Sequence, residues 1–118
     1  MSDIDEFIAA RRAANASVLA QDHLGIKRFF NLDEAAYRDD ALSGRVKELL
    51  GLVASLVLRC DDCVDYHLIQ CVKVGWTEPE IVDALNVGLL VGGSIVIPHL
   101  RHAVTTLHQL AGRTDVDL

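Results

Sequence analysis

Eight consecutive residues concentrate the reactive side chains of this chain: Cys60-Asp61-Asp62-Cys63-Val64-Asp65-Tyr66-His67. On a helix, at about 100° per residue, Cys60, Cys63 and His67 fall within roughly 60° of one another and share a face. Residues three or four apart on such a face lie about 5–6 Å apart at Cβ. A small adjustment at a helix start brings two cysteines within disulfide reach. The pair can therefore shuttle between dithiol and disulfide. The unpaired amide hydrogens and the dipole of a first helical turn favour a thiolate. His67, one turn after Cys63, can accept or relay the thiol proton.

Other readings of the same residues stay open. A lone C-x-x-C also fits an incidental pair of small buried residues, or half of a zinc site. Zinc takes four ligands. Cys71 lies about 12 Å along the helix axis from Cys63, too far to complete one tetrahedral site. It reads as a buried structural thiol. A zinc site borrowing His99 or His102 is the metal alternative. Glu48 sits where its helix becomes wholly apolar. It is either the solvated end of a helix or a carboxylate aimed at the thiols from a neighbouring helix. In the second case it orients His67 or moves protons through a water. His99, Arg101, His102 and His108 read as polar residues on a surface or interface. His23 has no assigned role, and Tyr66 reads as packing.

The elements that must hold these residues are all helical. Ser2 can cap a first helix whose apolar positions start at Ile4, Phe7 and Ile8 and which fades near Asp22, with Gly25 in the connection. Asn31-Leu32-Asp33-Glu34 has the shape of a capping box opening a short helix. Ser43 caps the next helix, running to about Leu58. From Leu49 to Leu58 it carries no charge, so it should be buried and central. A further helix runs from about Cys60 to Val74, with Gly75 as its left-handed stop and Trp76 packing back. Thr77-Glu78-Pro79-Glu80 opens the last apolar pattern, which extends to about Leu110 with a kink or break at Pro98. Gly88, Gly92 and Gly93 weaken that helix and imply close packing against a neighbour. Gly112 ends the structure, leaving 114–118 as a loose tail. No sheet is expected.

The chain has 118 residues, which favours one domain over 1–118. Apolar residues make up 51%, which excludes general disorder. The net charge of −6 argues against non-specific binding to nucleic acid or an anionic membrane. The longest charge-free stretch, 84–100, carries three glycines, Pro98 and His99, and reads as a core helix rather than a membrane span. The acidic start lacks the basic and apolar pattern of a leader, and the cysteine count is odd. The expectation is a cytoplasmic protein with working thiols. Apolar surface on 49–58 and 81–97 exceeds what one small domain hides, so a homo-oligomer is expected.

Glu48, eleven intervening residues, Cys60-x-x-Cys63, three more and His67 give the spacing E-x11-C-x2-C-x3-H. This resembles the alkylhydroperoxidase D-like branch of the carboxymuconolactone decarboxylase superfamily. Gly92-Gly93-Ser94 and Pro98-His99-Leu100-Arg101-His102-Ala103 look like that family's glycine-containing helix. The resemblance covers roughly Ser43 to Leu107. It implies an all-helical domain assembling as trimers or hexamers, and reduction of a hydroperoxide by the cysteine pair. It further implies that Cys63 attacks peroxide, that Cys60 resolves the sulfenic acid, that Glu48 and His67 form a proton relay, and that Arg101 and His102 line a pocket near the thiols. Re-reduction would come from a dithiol such as a lipoyl domain or a thioredoxin-like protein, with no cofactor and no metal. Read from the residues alone, Cys60 is nearer the helix terminus and more exposed, which suits thiol exchange, while Cys63 is nearer His67. Asp61 and Asp62 depart from the family, whose members often carry a histidine between the cysteines. Acids there raise a thiolate's pKa and repel anions. Two alternatives compete: a redox-responsive helical module whose pair gates assembly or partner binding, and a decarboxylase-type lyase with incidental cysteines.

Overall fold

Local capping signals set most of the helix boundaries in the computed structural model, which describes residues 3–118. The elements are α1 (Asp3–Leu19), α2 (Leu24–Ala36), α3 (Gly44–Val57), α4 (Asp61–Lys73), α5 (Glu78–Gly92), a short 3-10 turn (Ser94–Val96) and α6 (Ile97–Leu110). No strand occurs among the described residues. None of these helices is long and apolar enough to cross a membrane. Ser2, expected to cap α1, lies outside the described residues.

Ser43 caps α3 by accepting from the Val46 amide, and Thr77 with Glu80 forms a reciprocal capping box on α5. Gly75, at φ 91°, stops α4, and the Trp76 amide returns to the Cys71 carbonyl. The apolar faces then pack. α3 lies between α4 and α5, and α4 also meets α6. Leu52 and Leu56 of α3, Val64, Leu68 and Ile69 of α4, Ile81 and Leu85 of α5, and Leu107 and Leu110 of α6 build the core. Gly88 lets α5 approach α3, since a Cβ there would stand 3.0 Å from Leu56.

Several expectations are corrected. The Asn31–Glu34 box opens nothing: it lies inside α2, which begins earlier because the His23 ring caps it at the Ile26 amide, and Gly25 is helical. α1 ends at Leu19 rather than near Asp22. The last apolar pattern is two helices, and the break comes at Gly93, before Pro98. Gly93 adopts φ 82° and meets nothing where a Cβ would be, so its reason is conformation rather than packing. Pro98 sits in the first turn of α6, where its missing amide costs nothing. α3 is not buried all round: Leu50 and Leu58 are exposed, as are Leu90 and Val91 on α5. The C-terminal tail is tied down. Val116 is 4% exposed in the core, Arg113 bonds Asp5, and Lys73 pairs with Asp117 at 2.6 Å.

Candidate functional site

The site begins at the junction of α3 and α4. Arg59 takes a left-handed turn at φ 62°, and Cys60 follows in extended conformation as the residue that caps α4. The helix thus starts one residue later than expected: Cys60 stands outside α4, and its sulfur accepts from the Cys63 amide at 3.3 Å. The two cysteines form a disulfide, with Cα atoms 5.3 Å apart. Their exposures reverse the expectation, because Cys63 is exposed and Cys60 half-buried. The cap position turns the Cys60 sulfur under the first turn, whereas Cys63 rides on its outer side.

One turn on, His67 is buried, and its Nδ1 lies 2.9 Å from Oε2 of Glu48 on α3. Glu48 is 8% exposed and His67 7%. Of its two sequence readings, the solvated helix end is therefore the wrong one, and the carboxylate faces the histidine. A buried carboxylate needs such a partner, because an unpaired one would be strongly disfavoured. An ionised carboxylate only accepts, so Nδ1 carries the proton. The ring fits because α3 has no side chain beside it. A Cβ at Gly51 would stand 2.5 Å from His67 Cε1 and 2.8 Å from the hydroxyl oxygen of Tyr37.

Cys63 and His67 open together onto a cavity of about 570 Å³ between α4 and the first two helices. Its walls include Phe7, Ala10 and Arg11 of α1 and Tyr66 of α4. Cys60 does not line it. Tyr66, read as packing, faces this cavity edge-on to His67, with the Arg11 guanidinium 4.4 Å above its ring. A second cavity of about 550 Å³ shares Arg11 and Tyr66, and is lined by Glu48 and Tyr37. A carboxylate and an imidazole thus stand behind a cysteine that opens onto a cavity of mixed apolar and polar lining. That arrangement can move a proton to or from a sulfur.

The acids between the cysteines are partly answered. His99 Nδ1 lies 2.8 Å from Asp61, and His102 Nε2 lies 2.9 Å from the buried Asp65, which also accepts from Thr106 at 2.7 Å. His99 and His102 therefore join α6 to α4 through carboxylates and do not approach the sulfurs as ligands. Asp62 stays exposed on the cavity rim. His108 is exposed, 3.7 Å from Glu78. Tyr37, Arg11 and Gly51 escaped the sequence reading: nothing in local spacing links them to α4.

Cys71 is fully buried and free. Burial pushes its thiol up to about 12, with the charge of Glu48 adding to the rise. The unfolded thiol ionises near pH 9, so between about pH 9 and pH 12 unfolding releases a proton and stability falls as pH rises. Below that window the thiol contributes no slope. The expected loss approaches ~1.4 kcal/mol per pH unit. Denaturant midpoints from pH 8 to pH 10.5 check it: Cys71→Ala should show a shallower decline than the parent, and equal declines would refute it.

The sequence profile described as "Carboxymuconolactone decarboxylase family" matches residues 26–106. A Thermotoga maritima protein of known crystal structure is 57% identical, with a TM-score of 0.86 over 89% of this chain and 92% of that one. A second structure of that protein, at 56% identity and TM-score 0.84, is described as a carboxymuconolactone decarboxylase family member with a suggested part in an antioxidative response. A Legionella pneumophila family member, at 22% identity and TM-score 0.84 over 93% of this chain and 99% of that one, shares the fold. An uncharacterised protein of Cupriavidus necator is 31% identical over 65 residues, which span 55% of this chain and 58% of the relative. The profile covers well over half of the sequence, and the chain belongs to the carboxymuconolactone decarboxylase family.

Proposed function

We propose that the chain is a thiol-dependent peroxidase. One observation carries the reading: Cys63 shares a cavity with His67, Glu48 lies 2.9 Å behind that histidine, and Cys60 is bonded to Cys63. The suggested antioxidative role of the Thermotoga relative points the same way.

In the reduced protein, the Cys63 thiol gives its proton to His67, whose imidazolium Glu48 stabilises. The thiolate attacks the outer oxygen of a hydroperoxide. An S–O bond forms and the O–O bond breaks. Sulfur loses two electrons and the peroxide gains them, and the thiol proton ends on the departing alkoxide. Cys60 then displaces hydroxide from the Cys63 sulfenic acid, and disulfide and water result. A partner dithiol, such as a lipoyl domain or a thioredoxin-like protein, supplies the two electrons that reopen it. Its thiolate reaches the Cys63 sulfur, the more exposed of the two. Cys60 leaves as a thiolate that the Cys63 amide can bond, which eases the exchange.

A redox module without turnover draws on one further fact. Cys60 is both the cap of α4 and half of the disulfide, so reduction changes a helix start. Turnover with peroxide and a dithiol separates the two readings. The cytoplasm, where dithiol reductants are abundant, is the compartment this reading requires. No residue is assigned to lyase chemistry.

Three variants have expected outcomes. Cys63→Ser should abolish dithiol-dependent peroxide consumption. Cys60→Ser should still react once and hold a sulfenic acid that a 1,3-diketone probe captures. Glu48→Gln should slow the peroxide step by about 10²-fold. Full activity in both cysteine variants would end the peroxidase reading. Leu50, Leu58, Leu90 and Val91, the last two 83% and 70% exposed, form apolar surface suited to a trimer or hexamer. Sedimentation at micromolar concentration should give a multiple of the chain mass; a monomer would contradict that assembly.

A further inference from the structure

Tyr37 closes α2 and is the last aromatic residue before the link to α3. Its hydroxyl oxygen lies 3.4 Å from Nε2 of His67, while Nδ1 of the same ring faces Glu48 at 2.9 Å. The two rings are 5.5 Å apart between centroids and tilted by 39°. Gly51 leaves the space that both need, because a Cβ there would meet the ring and the hydroxyl alike within 2.8 Å. One point in the molecule thus gathers a carboxylate from α3, an imidazole from α4 and a phenol from the end of α2. Glu48 and Tyr37 also line the second cavity, which Cys63 does not.

We propose that Tyr37 is a positioning residue of the thiol site: its hydroxyl donates to Nε2 of His67, holds the neutral ring as the Nδ1–H tautomer, and turns to accept once Nε2 takes a proton. The donor roles follow from what each group can offer. Glu48 accepts only, so Nδ1 bears hydrogen and the neutral ring has a lone pair at Nε2. The phenol has a proton to give, since burial and the charges of Glu48 and Asp33 push its ionisation upward. A proton arriving at Nε2 reverses the second bond. The phenol oxygen then accepts from Nε2–H, and rotation about one C–O bond turns its own hydrogen towards the second cavity. No heavy atom has to move.

What that proton does rests on the peroxidase reading; the tautomer does not. In that reaction the Tyr37 hydroxyl first turns away from Nε2, the freed lone pair takes the thiol hydrogen of Cys63, and the ring passes it on to the alkoxide, while Tyr37 keeps its own hydrogen throughout. Its contribution is the tautomer: with Nδ1 protonated, Nε2 is the nitrogen that can act as base when the thiol needs one. The geometry also links the site to α2, a helix with no fully buried residue. How well α2 docks decides how well the ring is held.

Nitrogen resonances of histidine-labelled, reduced protein test this, with His67→Gln supplying the assignment. Imidazole free in water favours the opposite tautomer, so the expected result is distinctive. His67 should show a protonated Nδ1 and an unprotonated Nε2 shifted by an accepted hydrogen bond. Tyr37→Phe should move the Nε2 resonance towards its unbonded position. It should also slow peroxide-driven disulfide formation by several-fold to about tenfold, the scale of one net hydrogen bond. An Nε2–H tautomer in the parent protein, or an Nε2 resonance indifferent to Tyr37→Phe, would overturn the proposal. The parent spectrum needs no variant to fold. If peroxide left the parent thiols untouched, the peroxidase reading would fall, and the tautomer alone would decide the role of Tyr37.

Discussion

The hydrogen bond between Glu48 and His67 is the interaction on which the rest of the site depends. Two ionisable groups lie nine-tenths buried between α3 and α4, and neither is tolerable there without the other. Each satisfies its partner at 2.9 Å, and the pairing fixes the register of the two helices that pack most closely. Gly51 is a consequence of it: a ring of this size can lie against α3 only where α3 has no side chain. The turn through Arg59 and the cap at Cys60 follow as well. They start α4 where the first turn brings Cys63 to the same opening as His67.

Charge in this region is handled by pairing more than by exclusion. Asp61 and Asp65 would oppose a thiolate at the start of α4, yet each faces a histidine of α6. The two bonds lie one turn apart and tie α4 to α6 on the side away from α3. Helix α4 is therefore held from both sides by carboxylate–imidazole contacts, with the cysteines at its free end. The first two helices stand apart from that frame. α1 settles on α6 through Ile4 and Ile8, α2 buries no residue completely, and the cavities open in the space that remains.

Interactions that span three or four residues were legible in the sequence. The caps at Ser43 and Thr77, the stop at Gly75 and the shared face of Cys63 and His67 all arise from local geometry. A pattern with the right letters can still be overruled, as at Asn31–Glu34, where an earlier cap at His23 had already begun the helix. Contacts across the chain were another matter. Tyr37 meets His67 from thirty residues away, and Asp65 meets His102 from thirty-seven, so neither leaves a local signature. Glu48 was readable only as a choice between solvent and site, because its helix gives no sign of which face α4 covers. The tail, short and polar, gave no hint that Val116 reaches the core or that Asp117 binds Lys73.

The proposed peroxidase chemistry requires the cysteine pair, backed by His67 and Glu48, to take two electrons' worth of oxidation from a hydroperoxide. Its most direct test is a thiol titration of the fully reduced protein before and after one equivalent of an organic hydroperoxide, with intact mass to identify the product. The expected result is that two of the three thiols vanish, that Cys71 remains, and that the mass is that of a Cys60–Cys63 disulfide with no added oxygen. Three surviving thiols beside unconsumed hydroperoxide would contradict it.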